Sequence, residues 1–145
     1  MRPRWWLPLS CGLLALLPSC SLESKDCTTM GGVSGVGFDA SALPTTAPLP
    51  WQATSCADDV CQDQVVDDYQ NTWFHAGNDQ LNGDPVTAHL KIVAADGTVL
   101  VYSTTQAVPR RHDVNGNGCG PLIWVAGAVV EADGTLAAAP APESP

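Results

Sequence analysis

Basic residues are scarce in this chain, with 6 Lys and Arg against 15 Asp and Glu over 145 residues and a formal net charge of −9. The few that exist form no cluster, which excludes the phosphate-neutralising surface that nucleic-acid binding needs. Charged residues of both signs make up only 14% of the chain, while 12 Pro and 13 Gly punctuate it. That balance excludes a helical bundle or coiled coil and favours many short segments joined by turns. No Gly-Lys-Ser/Thr ending follows the glycines of Gly31 to Gly37, so there is no phosphate-cradling loop. No G-x-S-x-G elbow accompanies the plentiful Ser and Asp, so no nucleophile context is present. A long apolar run is also missing. The longest stretch, Trp5 to Leu17, is interrupted by Pro8, Ser10 and Gly12, and it falls short of the roughly 20 residues that a membrane-crossing helix requires.

What is present begins with that stretch. Arg2 and Arg4 precede it and Leu17-Pro18-Ser19-Cys20 closes it, the three-part layout of a secretory signal. The closing tetrapeptide resembles the lipobox of bacterial lipoproteins, with Leu three before the Cys and a small residue just ahead of it; Pro18 departs from the usual second position. The resemblance implies removal of residues 1–19 and lipidation of Cys20. Cys11, with Pro8 three residues before it, fits the pattern poorly. A mature chain starting at Cys20 keeps four basic residues, Lys25, Lys91, Arg110 and Arg111, and all 15 acids. So acidic a chain gains nothing electrostatically from anionic lipid, and attachment rests on the acyl chains. The expected organisation is a signal peptide at 1–19, a lipidated Cys and tether at 20–30, a domain at 31–137 and a disordered Pro/Ala-rich tail at 138–145.

Outside the cytoplasm the remaining four cysteines read as two disulfides. The short spacing of Cys56-Ala-Asp-Asp-Val-Cys61 points to a local bridge across a turn, which leaves Cys27 to pair with Cys119. A zinc site from the four thiolates is the rival reading, but a second close pair is lacking.

Apolar and polar residues alternate from Val86 to Ala94, Asp96-Gly97 turns the chain, and Thr98 to Thr104 returns, a hairpin. A Gly-weakened strand at Gly31 to Ala40, a disulfide-closed hairpin from Leu49 to Val66, an apolar central strand at Leu122 to Val130 and a short final strand near Thr135 to Ala137 complete the pattern. Between them, Tyr69 and Trp73 sit at the spacing of one helical turn, and a polar surface loop runs from Gly77 to Pro85. About seven strands with a bridge from early to late fit an all-β, antiparallel immunoglobulin-like β-sandwich, although the Cys, Trp, Cys spacing of antibody domains is absent. The lipobox, Gly-rich first strand, cysteine hairpin and Asn115-Gly116-Asn117-Gly118-Cys119-Gly120-Pro121 together resemble small bacterial surface lipoproteins. That likeness implies disulfides and turns but no particular activity.

Three constellations carry some chemistry. Tyr69, Trp73 and His75 beside Asn78 and Asp79 combine rings that stack on sugar faces with groups that bond hydroxyls, against the plainer reading of Trp and Phe as core. Asp113, Asn115 and Asn117 open like a calcium loop, but the twelfth position holds Trp124 where a bidentate Glu is required, so the plainer reading is an Asn-Gly turn. His75, His89 and His112 lack metal-ligand spacing and read as solvated, as does Lys91 beside His89. The expected function is a non-catalytic, lipid-anchored binding or structural module on the extracytoplasmic face of the cell membrane, without a cofactor, whose partner is an envelope protein or glycan. The competing readings are a small envelope-polymer hydrolase, using Asp67 or Asp79 with another carboxylate, and a calcium-dependent glycan binder.

Overall fold

The computed structural model describes residues 27, 31–44, 46–116 and 118–139. The signal peptide, Cys20 and the tether, apart from Cys27, lie outside the described residues, as does the tail beyond residue 139. Among the described residues every regular element is a strand: β1 Gly35–Asp39, β2 Trp51–Ala57, β3 Val60–Val66, β4 Trp73–Gly77, β5 Val86–Val93, β6 Val99–Ala107, β7 Arg110–Asp113, β8 Leu122–Val130 and β9 Leu136–Ala138. They form two sheets in a β-sandwich-like arrangement. One runs β4-β1-β8-β7 with β9 also on β8, the other β3-β2-β5-β6.

The described residues form nine strands where the sequence suggests about seven. The two additional strands are β4 and β7, which are short and lack an alternating run long enough to announce itself. Tyr69 and Gln70 form a turn in which Asp68 accepts hydrogen bonds from the Gln70 and Asn71 amides, and Trp73 begins a strand instead of completing a helical turn. Ala138, assigned from sequence to the tail, belongs to β9 and pairs with Ala128. The first strand starts at Gly35, later than the glycine-rich segment containing it.

The pairing is antiparallel with one exception. β1 and β8 run parallel, Gly35 beside Val125 through Asp39 beside Val129. Alternation tells which face a residue takes but not the direction of its neighbour, so this pair was beyond reach of pattern reading.

The core is built from the inward positions of both sheets. Val36 and Phe38 of β1, Phe74 of β4, Trp51 of β2, Leu90 and Ile92 of β5, Val101 of β6 and Val130 of β8 are fully buried, each contributing roughly 1.5–3 kcal/mol by leaving water. The outward positions of β5, Thr87, His89, Lys91 and Val93, are more accessible. His89 meets Tyr102 edge to face with ring centres 5.4 Å apart.

Both disulfides are formed as the spacing suggests. Cys56–Cys61 joins directly opposed residues of the β2–β3 hairpin. Cys27–Cys119 spans 92 residues and fastens the segment before β1 to the β7–β8 loop. The strand directions put this bridge at the same end of the sandwich as the β2–β3 turn and the 78–85 loop. Asn78 closes that end: its backbone amide donates to the Ser34 carbonyl at 2.9 Å and its side-chain amide to the Ala57 carbonyl at 3.1 Å, one contact in each sheet.

Candidate functional site

The geometry of β4 follows from its five residues. Phe74 and Ala76 turn into the core, so the period of two sends Trp73, His75 and Gly77 to the outer surface of the sheet. The neighbouring strand β1 puts Val36 and Phe38 inward and presents Gly35 and Gly37 on that same outer surface. Two glycines at alternate positions leave bare backbone where other residues would raise side chains.

The rings of β4 occupy that space. A β-carbon on Gly37 would lie 2.7 Å from Cζ2 of Trp73, and one on Gly35 would lie 2.6 Å from Nε2 of His75 and closer still to the Ala76 carbonyl oxygen. The two aromatic side chains therefore reach across β1 side by side, about 7 Å apart by strand geometry. Trp73 stays 59% exposed despite that contact, and His75 is half-buried. An indole that is half solvated on a backbone floor is a surface on which an apolar sugar face or another ring can stack.

The other members of the candidate set are employed differently. Tyr69 packs edge to face on the buried Trp51, ring centres 5.6 Å apart, and its hydroxyl donates to the Ala47 carbonyl at 2.9 Å. Trp51 Nε1 donates to the same carbonyl, so Tyr69 belongs to the core wall. Asn78 is buried and committed to the contacts with Ser34, Ala57 and the Gln80 amide. Asp79 is exposed in the loop beyond β4. Of the five residues the structure brings Trp73 and His75 together as a surface, and it withdraws Tyr69 and Asn78 into the framework.

Around the pair, Asp39 faces Trp73 across the β1–β4 ladder and accepts the Ser41 amide at 2.9 Å. Further across the same sheet, Arg110 and His112 of β7 are exposed opposite Val125 and Ile123. The sequence reading missed the partnership of Gly35 and Gly37 with the aromatics. The available signal was two glycines at alternate positions in a strand otherwise carrying Val36 and Phe38.

Asp113 lies 3.6 Å from Arg111 in an ion pair, and the Asn115 amide nitrogen donates to the Gly120 carbonyl at 2.6 Å. Gly116 and Gly118 hold positive φ, 87° and 80°, the conformation an Asn-Gly turn demands. This segment delivers Cys119 to its bridge; Asn117 lies outside the described residues. Among the described residues no three His, Cys, Asp or Glu side chains gather as a metal-holding group. Asp67 and Asp79 are both exposed and lie at opposite ends of the sandwich, after β3 and β4 respectively.

No family model, curated protein or solved structure matches this chain.

Proposed function

We propose that the protein is a non-catalytic binding module of the bacterial envelope, exported, anchored by lipid at Cys20, and presenting the Trp73–His75 surface to a glycan. The observation that carries the reading is the exposed indole of Trp73 laid over Gly37. Burying so large an apolar ring would be favourable in an isolated domain, and its exposure beside a bare backbone suits a flat ligand. The acidic chain and the lipobox-like Leu17-Pro18-Ser19-Cys20 support attachment by acyl chains. The two sheets with inward-alternating strands support an immunoglobulin-like assignment, which accommodates the nine strands of the described residues, and the parallel β1–β8 pair departs from a purely antiparallel sandwich.

The test has two parts. The protein isolated from its host's membranes should have an intact mass beginning at Cys20 with added diacylglycerol, absent in a Cys20→Ala variant. Titration with soluble N-acetylglucosamine oligosaccharides, followed by tryptophan fluorescence, should saturate, and Trp73→Ala should weaken binding about tenfold or more while leaving the unfolding midpoint in place. An unmodified chain rejects the anchor, and binding that survives Trp73→Ala rejects the face.

A further inference from the structure

The sheet edges differ in how they meet further strands: β4, only five residues and uncharged, lies beside β3 of the other sheet, β7, β3 and β9 carry features that discourage pairing, and β6 does not. β7 bears Arg110, Arg111, His112 and Asp113 in four residues. β3 carries Asp63 and the Cys56–Cys61 bridge, and lies beside β4 of the other sheet. β9 is three residues long. β6 is nine residues, Val99-Leu100-Val101-Tyr102-Ser103-Thr104-Thr105-Gln106-Ala107, with no charge and no proline. A long neutral edge of β-forming residues offers its backbone groups to another strand.

The first half of this edge is occupied. The turn before β9 brings Gly134 against the Leu100 carbonyl, and the Leu136 amide donates to the Ser103 hydroxyl at 2.9 Å. The second half differs: Thr104 and Gln106 are exposed, and Tyr102 beside them is 73% exposed.

We propose that Thr104 to Gln106, flanked by Ser103 opposite the copy's Ala107, pairs antiparallel with the same segment of a second copy, joining the two β3-β2-β5-β6 sheets into one. Two arguments select a second copy. The chain's own C-terminal segment contains Pro140, Pro142 and Pro145, which lack the amide hydrogens a ladder needs. In addition, two chains of net charge −9 repel wherever carboxylates meet. Along the open half of β6 there is none, and the ionisable neighbours in register are Lys91 opposite Tyr102 and His89 opposite Thr104. A two-fold axis at Thr105 sets Thr104 across from the copy's Gln106 and Gln106 across from the copy's Thr104, hydroxyl against amide in both places. Gln106 already donates its Nε2 to Thr87 at 2.9 Å, which leaves its oxygen to accept the copy's Thr104 hydroxyl.

Sedimentation velocity of the full chain in non-ionic detergent, up to about 100 µM, reads the outcome by mass action. The native chain and Gln52→Lys, an exposed change in the middle of the same sheet, should sediment as dimers. Thr104→Lys should raise the dissociation constant about tenfold or more through like charges at the junction, with an unchanged circular dichroism spectrum and both disulfides intact by mass. A native chain that remains monomeric throughout this range overturns the proposal, as does a dimer that Thr104→Lys leaves untouched. Neither result bears on Trp73, so glycan binding and dimer formation succeed or fail separately.

Discussion

The two sheets hold together by different means. β3-β2-β5-β6 consists of two hairpins, β2 with β3 and β5 with β6, joined along β2 and β5. Its bridge closes a sequence separation of 5 residues. The sheet β4-β1-β8-β7 gathers strands from across the chain, sets its central pair parallel, and is fastened by a bridge spanning 92 residues. Local pairing comes cheaply because little chain entropy is lost in closing a hairpin, whereas distant strands must be brought together against a larger loop cost. The difference teaches that the long disulfide supports the sheet that needs it and the short one decorates a hairpin already closed.

The strongest way to break this contrast is to remove each bridge in turn. On the loop-entropy model the Cys27→Ser/Cys119→Ser double variant should lose about 4.5 kcal/mol and the Cys56→Ala/Cys61→Ala variant about 2 kcal/mol, read by urea unfolding. Hydrogen exchange should then quicken in β1 and β8 of the first variant while β2 and β5 stay protected. Equal losses would erase the distinction between the sheets.

A smaller effect separates two glycines of one strand. Gly35→Ala would drive a methyl against the Ala76 carbonyl, which as backbone has nowhere to go, and should cost about 1–3 kcal/mol in the same unfolding assay. Gly37→Ala meets only the outer edge of the Trp73 ring, which can swing toward water, so its stability change should stay within about 0.5 kcal/mol. Its signature is a changed tryptophan emission and weaker oligosaccharide binding.

The smallest effect compares matched turns, one in each sheet. Asp96 before β6 and Asp133 before β9 each accept the amide of the Thr two residues on. The Thr98 backbone and hydroxyl lower the pKa of Asp96, and the Thr135 hydroxyl and backbone lower that of Asp133, both from the ordinary 3.8. The folded state therefore holds fewer protons than the unfolded state just below that value. The contribution is present above pH 3.8 and is lost as pH falls through the lowered folded values. Asp96→Asn and Asp133→Asn keep the accepting oxygen and remove the charge. The native chain's advantage over each variant in urea midpoint should shrink as the buffer is taken from pH 5 toward pH 2, about the range in which such carboxylates protonate.

The same contrast governs what could be read from residues alone. Val86 to Ala94 alternates cleanly and Asp96-Gly97 marks its turn, so the hairpin is visible without any partner. Cys56 and Cys61 announce the other hairpin by spacing. In the second sheet, β7 is Arg-Arg-His-Asp, which no hydrophobic pattern identifies, and it becomes a strand because β8 offers a ladder. β4 hid between a turn and a polar loop, since its Phe74 and Ala76 provide only two inward positions. At the candidate site, Trp73 and His75 were legible as members of one set with Tyr69, Asn78 and Asp79, but their alternation on a strand was not, and the roles of Tyr69 and Asn78 depended on Ala47, Trp51 and Ala57, distant in sequence. Chemistry was legible residue by residue, and so was the Cys27–Cys119 bridge once Cys56 and Cys61 were paired, whereas the pairing of distant strands was not.

The parallel pair has a mechanical consequence. β1 and β8 both start at the end where Cys27 is bonded to Cys119. Tension applied to the chain at Cys27 divides there, part entering β1 and part passing through the bridge toward β8. Both strands are then drawn toward the same end together, so the ladder between them carries little shear and the load passes outward to the strands that flank the pair. A chain pulled at this point would move its two central strands as one covalently yoked unit, and would yield first where that unit meets its neighbours.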